Sequence, residues 1–159
     1  MMDEKPPESL RDINIRDADE ESPGEVMAGM PHGKELGMRL HRSVAGKSVL
    51  SVPYDERLVG DPTNSVLHGG VITVLLDSAS GSAVMSMPDT LLSVATLDLR
   101  IDYMRPATPG QTVYAKAECY RLTRSIGFTR AVAYHSDPDD PVATATGAFV
   151  VQRMKEKSS

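Results

Sequence analysis

One aspartate stands in the least polar stretch of the chain. From His68 to Met85 the sequence reads HGGVITVLLDSASGSAVM, and Asp77 is its only residue charged at neutral pH. Ionising a carboxyl among apolar neighbours costs several kcal/mol unless it is paired or hydrogen-bonded. An acid kept in such a place is a candidate general base or nucleophile; the alternative is a satisfied core carboxylate or one that faces water. Gly69-Gly70 precede it. If a helix begins there, its first turn offers N–H groups without intrahelical acceptors at the positive end of the dipole. Glycine lets a ligand approach that backbone closely, and such an end can hold a developing oxyanion. The same glycines would also serve a tight turn or close packing.

These groups need elements to hold them. Apolar and small residues on every side of the 68–85 stretch predict a helix buried all round, and Pro88 stops it. Before it, Leu36, Met38 and Leu40 alternate with polar residues, as do Leu50, Val52 and Tyr54, predicting two strands joined at Ala45-Gly46. Met30 to Gly37 reads as a loop, and Asp55 to Leu67 as a loop of turn formers. After the helix, Leu97, Leu99, Ile101 and Tyr103 alternate with Thr96, Asp98, Arg100 and Asp102. Three further strands cover the run from Val113 to Cys119, then Ile126 to His135, then Val142 to Val151. Short links imply antiparallel pairing, and the class is α+β, a sheet curled around one helix.

A geometric constraint follows. With a rise of about 1.5 Å per residue, Gly69 and Asp77 of one helix lie about 12 Å apart along its axis. One reacting carbonyl needs contacts of roughly 3 Å and cannot reach both. Two antiparallel copies of the helix would bring the start of one to the middle of the other. If these residues share a site, the protein is at least a dimer.

The sequence Leu67-His68-Gly69-Gly70, the apolar helix with Asp77, and Ala95-Thr96-Leu97-Asp98-Leu99-Arg100-Ile101-Asp102-Tyr103-Met104-Arg105-Pro106-Ala107 together resemble the PaaI-type hotdog-fold acyl-CoA thioesterases. The resemblance spans residues 36–152. It implies a hotdog fold and a homo-oligomer, a dimer or a dimer of dimers, with active sites between subunits. It further implies that the Gly69 N–H polarises the thioester carbonyl, with His68 and Gly70 shaping that loop. Asp77 of the other subunit would activate water or attack directly, and Thr96 would help hold the water. Strict alternation puts Thr96 on the polar strand face, so its role assumes that this face meets a neighbouring subunit. Family members carry an Asn six residues before the His; Pro62 stands there, flanked by Asp61 and Asn64, and Asn64 is the preferred substitute. Arg121, Thr123, Arg124 and Ser125 match a stretch that contacts coenzyme A phosphates, with Arg100 a similar case; solvated arginines in a hairpin turn are the alternative.

Two other readings compete. Asp61 and His68 faintly resemble the water-sharing pair of hotdog enoyl-CoA hydratases, though at a longer spacing that leaves Asp77 without a role. A non-catalytic acyl-CoA-binding protein is the third. Thiol release, loss of enoyl absorbance and binding without turnover separate the three.

The rest of the composition narrows the classes. The chain has 159 residues, a net charge of −5 and 40% hydrophobic residues, which suits one domain and argues against a nucleic-acid binder. No apolar run approaches the roughly 20 residues of a membrane span, and the first residues do not form a secretory signal. The single Cys119 fits a reducing compartment, so cytoplasm is expected, and its alternation with core residues predicts burial. His32, His41 and His135 lack companions at metal-ligand spacing and read as surface residues; no metal or cofactor is expected, coenzyme A being part of the substrate. Residues 1–28, acidic and proline-rich, read as a mobile tail with a helical turn around Ser9 to Arg16, ahead of a hotdog domain over 29–159.

Overall fold

The computed structural model describes residues 30–89 and 91–153. The tail expected over 1–28, with its turn around Ser9 to Arg16, lies outside them. The expected loop at Met30–Gly37 contains a helix, α1 (Pro31–Glu35), with proline at its first position, where a fixed φ and a missing N–H cost nothing. Five residues are too few for an apolar period to show in the sequence. The first strand therefore starts at Arg39 rather than Leu36. Strands β1 (Arg39–Val44) and β2 (Lys47–Val52) are joined at Ala45-Gly46, both with positive φ (+49° and +79°), the geometry of a two-residue hairpin turn.

A short 3-10 turn (Glu56–Leu58) leads to a small hairpin, β3 (Val59–Asp61) with β4 (Val66–Leu67), which turn-former composition alone does not reveal. The long helix α2 (Gly69–Met85) follows, then β5 (Leu91–Tyr103), β6 (Val113–Leu122), β7 (Ile126–Tyr134) and β8 (Ala143–Arg153). The large sheet runs β1-β2-β6-β7-β8-β5, antiparallel throughout. It wraps one side of α2, as the resemblance implies.

Small residues make that wrap close. Ala115, Ala133 and Ala143 form one row across β6, β7 and β8, and Ala117, Ala131 and Ala145 form the next. All six are buried, a shallow floor on which Leu75, Leu76, Ala79, Ala83 and Val84 of α2 sit. The buried Ser48 hydroxyl donates to the Ala79 carbonyl at 2.6 Å, tying helix to sheet. At Gly127 a Cβ would stand 2.8 Å from Val84 Cγ1. Gly127→Ala is therefore expected to destabilise the fold by about 1–3 kcal/mol, through overpacking beneath α2. A urea denaturation midpoint that does not move would show that Val84 can give way.

The helix is not buried all round. The sheet covers Val71, Ile72, Leu75, Leu76, Ala79, Ser80, Ala83 and Val84, whereas Thr73, Val74, Asp77, Ser78, Gly81 and Ser82 are only half-buried. The physical reason is that a single sheet covers only one side of a helix, and among the described residues no second layer lies on the other.

Strand β5, at the sheet edge, departs from strict alternation. Its register against β8 slips between Leu91 and Ser93 and again between Thr96 and Asp98. The extra residues, Leu92 and Leu97, are 55% and 62% exposed. Leu97 thus does not share a face with Leu99, Ile101 and Tyr103, because a bulge adds one residue and reverses the parity before it. Thr96 shifts accordingly to the helix side.

Two of the histidines read as surface residues are not. His135 is 8% exposed; its Nε2 accepts the Thr108 N–H at 2.8 Å, which leaves Nδ1 to donate to the Thr112 carbonyl at 2.8 Å. It pins the β5–β6 connection. His41 is half-buried, its Nε2 2.7 Å from the Ser51 hydroxyl, and burial lowers its pKa, with Arg39 adding to the effect. Cys119 is buried as expected, and desolvation pushes its thiol up. Among the described residues no helix is long and apolar enough to cross a membrane, and no group of three metal-ligating side chains is present.

Candidate active site

The start of α2 is held by the residue before it. His68, with extended backbone (φ −58°, ψ 134°), is the N-cap, and its Nδ1 accepts the Gly70 N–H at 2.9 Å. A Cβ on Gly70 would sit 2.9 Å from that nitrogen, so glycine is what lets the imidazole fold back over the turn. A Cβ on Gly60 would come within 3.0 Å of His68 Cα, which explains how the β3–β4 hairpin closes behind the cap. His68 N–H also donates to the Leu58 carbonyl at 2.8 Å. With Gly70 taken by His68 and Val71 N–H by the His68 carbonyl at 2.9 Å, the Gly69 N–H is left without an acceptor among the described residues.

Two turns along, Asp77 lies on the half-buried side of α2. The Thr96 hydroxyl donates to Asp77 Oδ1 at 2.7 Å. The bulge at Leu97 makes this contact possible within one chain, so Thr96 does not need a neighbouring subunit to meet the acid. The bond orients the carboxylate and fixes Oδ1, leaving Oδ2 for another partner.

Tyr103 and Thr73 were not singled out from the sequence. The Tyr103 hydroxyl donates to the Gly69 carbonyl at 3.0 Å and lies 2.5 Å from Thr73 Oγ1. The available signal was a tyrosine in step with Leu99 and Ile101, whose hydroxyl at the helix end of the strand would need a partner.

The other candidates fall elsewhere. Asn64 is exposed at the tip of the β3–β4 hairpin, where its Oδ1 accepts the Val66 N–H at 3.0 Å and its amide donates to Asp61 at 3.4 Å. Asp61 accepts from the Thr63 N–H and hydroxyl at 2.9 and 2.7 Å, which holds its carboxyl below the usual range. No hydrogen bond joins Asp61 to His68 among the described residues, so the hydratase pair is not assembled. Arg121 lies near the end of β6, and Thr123, Arg124 and Ser125 form the turn to β7, beside the C-terminal half of α2, where Gly127 backs onto Val84. Thr123 Oγ1 is used within that turn, accepting the Ile126 N–H at 3.0 Å, while Arg121 and Arg124 are exposed. Arg153 braces the turn through the Thr123 and Arg124 carbonyls and pairs with Asp89. Arg100 points away from α2, beside Thr146, and pairs with Asp102 at 3.2 Å; the fold separates it from Asp77.

An aliphatic groove of about 440 Å³ opens beside the helix start, walled by Leu36, Leu58, Val59, Val71 and Val74, with His32, Arg57 and His68 at its polar margin.

Comparison with known proteins places the fold in a family. The thioesterase superfamily model matches residues 64–142. The medium/long-chain acyl-CoA thioesterase YigI of Escherichia coli is 30% identical over 135 residues, covering 77% of this chain and 86% of its own. A crystal structure of a Pseudomonas aeruginosa protein superposes with a TM-score of 0.71 at 40% identity, over 82% of this chain and 96% of that one. The Escherichia coli PaaI protein, from the phenylacetic acid degradation operon, shares the fold (TM-score 0.69, 21% identity, 80% and 86% covered). The chain belongs to the thioesterase superfamily, and its hotdog fold is the one that the PaaI structure shares.

Proposed function

We propose that the protein hydrolyses the thioester of a medium- or long-chain acyl-CoA, releasing the carboxylic acid and coenzyme A. The observation that carries this reading is the Thr96–Asp77 hydrogen bond on the uncovered side of α2. It presents an oriented carboxylate where a second copy of the helix would bring a Gly69 N–H. The thioester carbonyl accepts from that N–H, and the negative charge of the tetrahedral oxyanion is offset by the helix end. Asp77 either takes a proton from the attacking water or attacks the carbonyl itself. Collapse of the intermediate expels the coenzyme A thiolate, which leaves as the thiol after gaining a proton. Where Asp77 is the nucleophile, water then cleaves the acyl-aspartyl anhydride, freeing the acid and restoring the carboxylate.

The site is completed between subunits of a dimer or dimer of dimers, because the two groups of one helix stand about 12 Å apart along its axis. The half-buried stripe through Thr73, Asp77 and Gly81 is the surface that the second copy covers. Aliphatic walls beside the helix start suit an alkyl chain, in keeping with the name of the Escherichia coli relative. Arg121 at the end of β6 and Arg124 on the turn after it, both exposed, take the coenzyme A phosphates of a site to which the partner brings its own helix start. Coenzyme A enters as part of the substrate, no separate cofactor is used, and the enzyme works in the cytoplasm.

Thiol release from a panel of straight-chain and aryl acyl-CoAs tests this. Turnover is expected to be highest for straight chains. Tight binding without thiol release would instead identify an acyl-CoA-binding protein, and loss of enoyl absorbance a hydratase.

A further inference from the structure

We propose that Tyr103 is a positioning residue for the oxyanion-binding end of α2. The inference rests on the reading in which the Gly69 N–H meets the thioester carbonyl. A helix that begins with two glycines starts from the most permissive backbone in the chain, and an N–H aimed at a developing charge must not wander. The Gly69 N–H belongs to the peptide before it, so its direction depends on how firmly the next peptide group, between Gly69 and Gly70, is held. That group is fixed at both ends. Its N–H is bonded to His68 Nδ1, and its carbonyl accepts from the Tyr103 hydroxyl at 3.0 Å.

Thr73 closes the arrangement. Its hydroxyl lies 2.5 Å from the Tyr103 oxygen and 3.3 Å from the Gly69 carbonyl. Both hydroxyls are within donating distance of the Gly69 carbonyl; we assign the Tyr103 proton to it because that contact is the shorter, at 3.0 against 3.3 Å, which leaves the Thr73 proton for Tyr103. The Tyr103 ring also stands 3.7 Å from where a Gly69 Cβ would be, flush against the bare backbone. The hydroxyl, spent on the Gly69 carbonyl, acts on the reaction through Gly69. The same edge strand supplies Thr96 to Asp77, so β5 supports both halves of the chemistry.

Tyr103→Phe removes the hydroxyl and keeps the ring. kcat is expected to fall about tenfold, the scale of one ordinary hydrogen bond, with KM within twofold and Tm nearly unchanged. A packing role would not move a second readout, the carbonyl stretch of an acyl-CoA bound to the Asp77→Asn protein. Adding Tyr103→Phe should shift that band toward its position in free substrate. Unchanged kcat, a change confined to KM, or a fall in kcat with an unmoved carbonyl band would each overturn the proposal. If Tyr103→Phe fails to fold, Thr73→Val removes the hydroxyl that donates to Tyr103, and the same shift in smaller measure is expected; no shift overturns the proposal. Wild-type protein that releases no thiol from any acyl-CoA sinks the underlying reading as well. Activity with an unaffected Tyr103→Phe variant sinks only this inference.

Discussion

Asp77→Asn is expected to lower kcat by about 100-fold or more while leaving KM nearly unchanged. The substitution isolates the chemistry because an asparagine oxygen can still accept the Thr96 hydroxyl now bonded to Asp77 Oδ1. The side chain keeps its orientation and its volume, and what disappears is the ability to accept a proton or to attack a carbonyl. A variant that retains most of its kcat would remove Asp77 from the mechanism. A single turnover in ¹⁸O-water tests the nucleophilic role: label incorporated into the Asp77 carboxylate requires an anhydride intermediate.

The second large effect is a recovery. Gly69→Pro deletes the one N–H at the helix start that has no acceptor among the described residues, at a position where proline is tolerated. The extended backbone of His68 is also the conformation that a following proline requires. Gly69→Pro and Asp77→Asn should each be inactive alone. Refolded together, about half of the dimers are mixed, and in each mixed dimer one shared site carries both lesions and the other carries neither. About a quarter of wild-type activity should return. Were Gly69 and Asp77 of one chain to serve one site, every site would carry a lesion and nothing would return. Mixed dimers verified by mass spectrometry yet inactive would reject the shared site, given that each variant folds and dimerises alone.

Much of the fold was legible because its signals are local. The 68–85 stretch has the length and uniform apolarity of a buried helix, and β6 and β8 alternate because one face of each meets α2, whereas β7 buries Val132 and Tyr134 on its other face as well. What escaped depends on the third dimension. The bulge at Leu97 reverses the strand's parity without any glycine or proline to announce it, so Thr96 appeared to face away from the helix it touches. His135 reads as an ordinary polar residue at a strand end until the β5–β6 connection folds over it. The acid and the glycines were visible as an anomaly of composition. Tyr103, by contrast, looks like one more apolar residue in an alternating strand, and only the placement of β5 against the first turn of α2 gives its hydroxyl a task.

The two leucine bulges of β5 bear on the solubility of an exposed edge. An open strand of thirteen residues presents a long row of unpaired amides, a template for unwanted pairing with any extended chain. Here the row is interrupted at Leu92 and again five residues later at Leu97, so its donors and acceptors are unevenly spaced and locally twisted. A straight foreign strand that begins to pair would lose register within a few residues. Fibril-like stacking, which needs a flat and regular edge, is thereby disfavoured, while a strand carrying the same two irregularities could still match it.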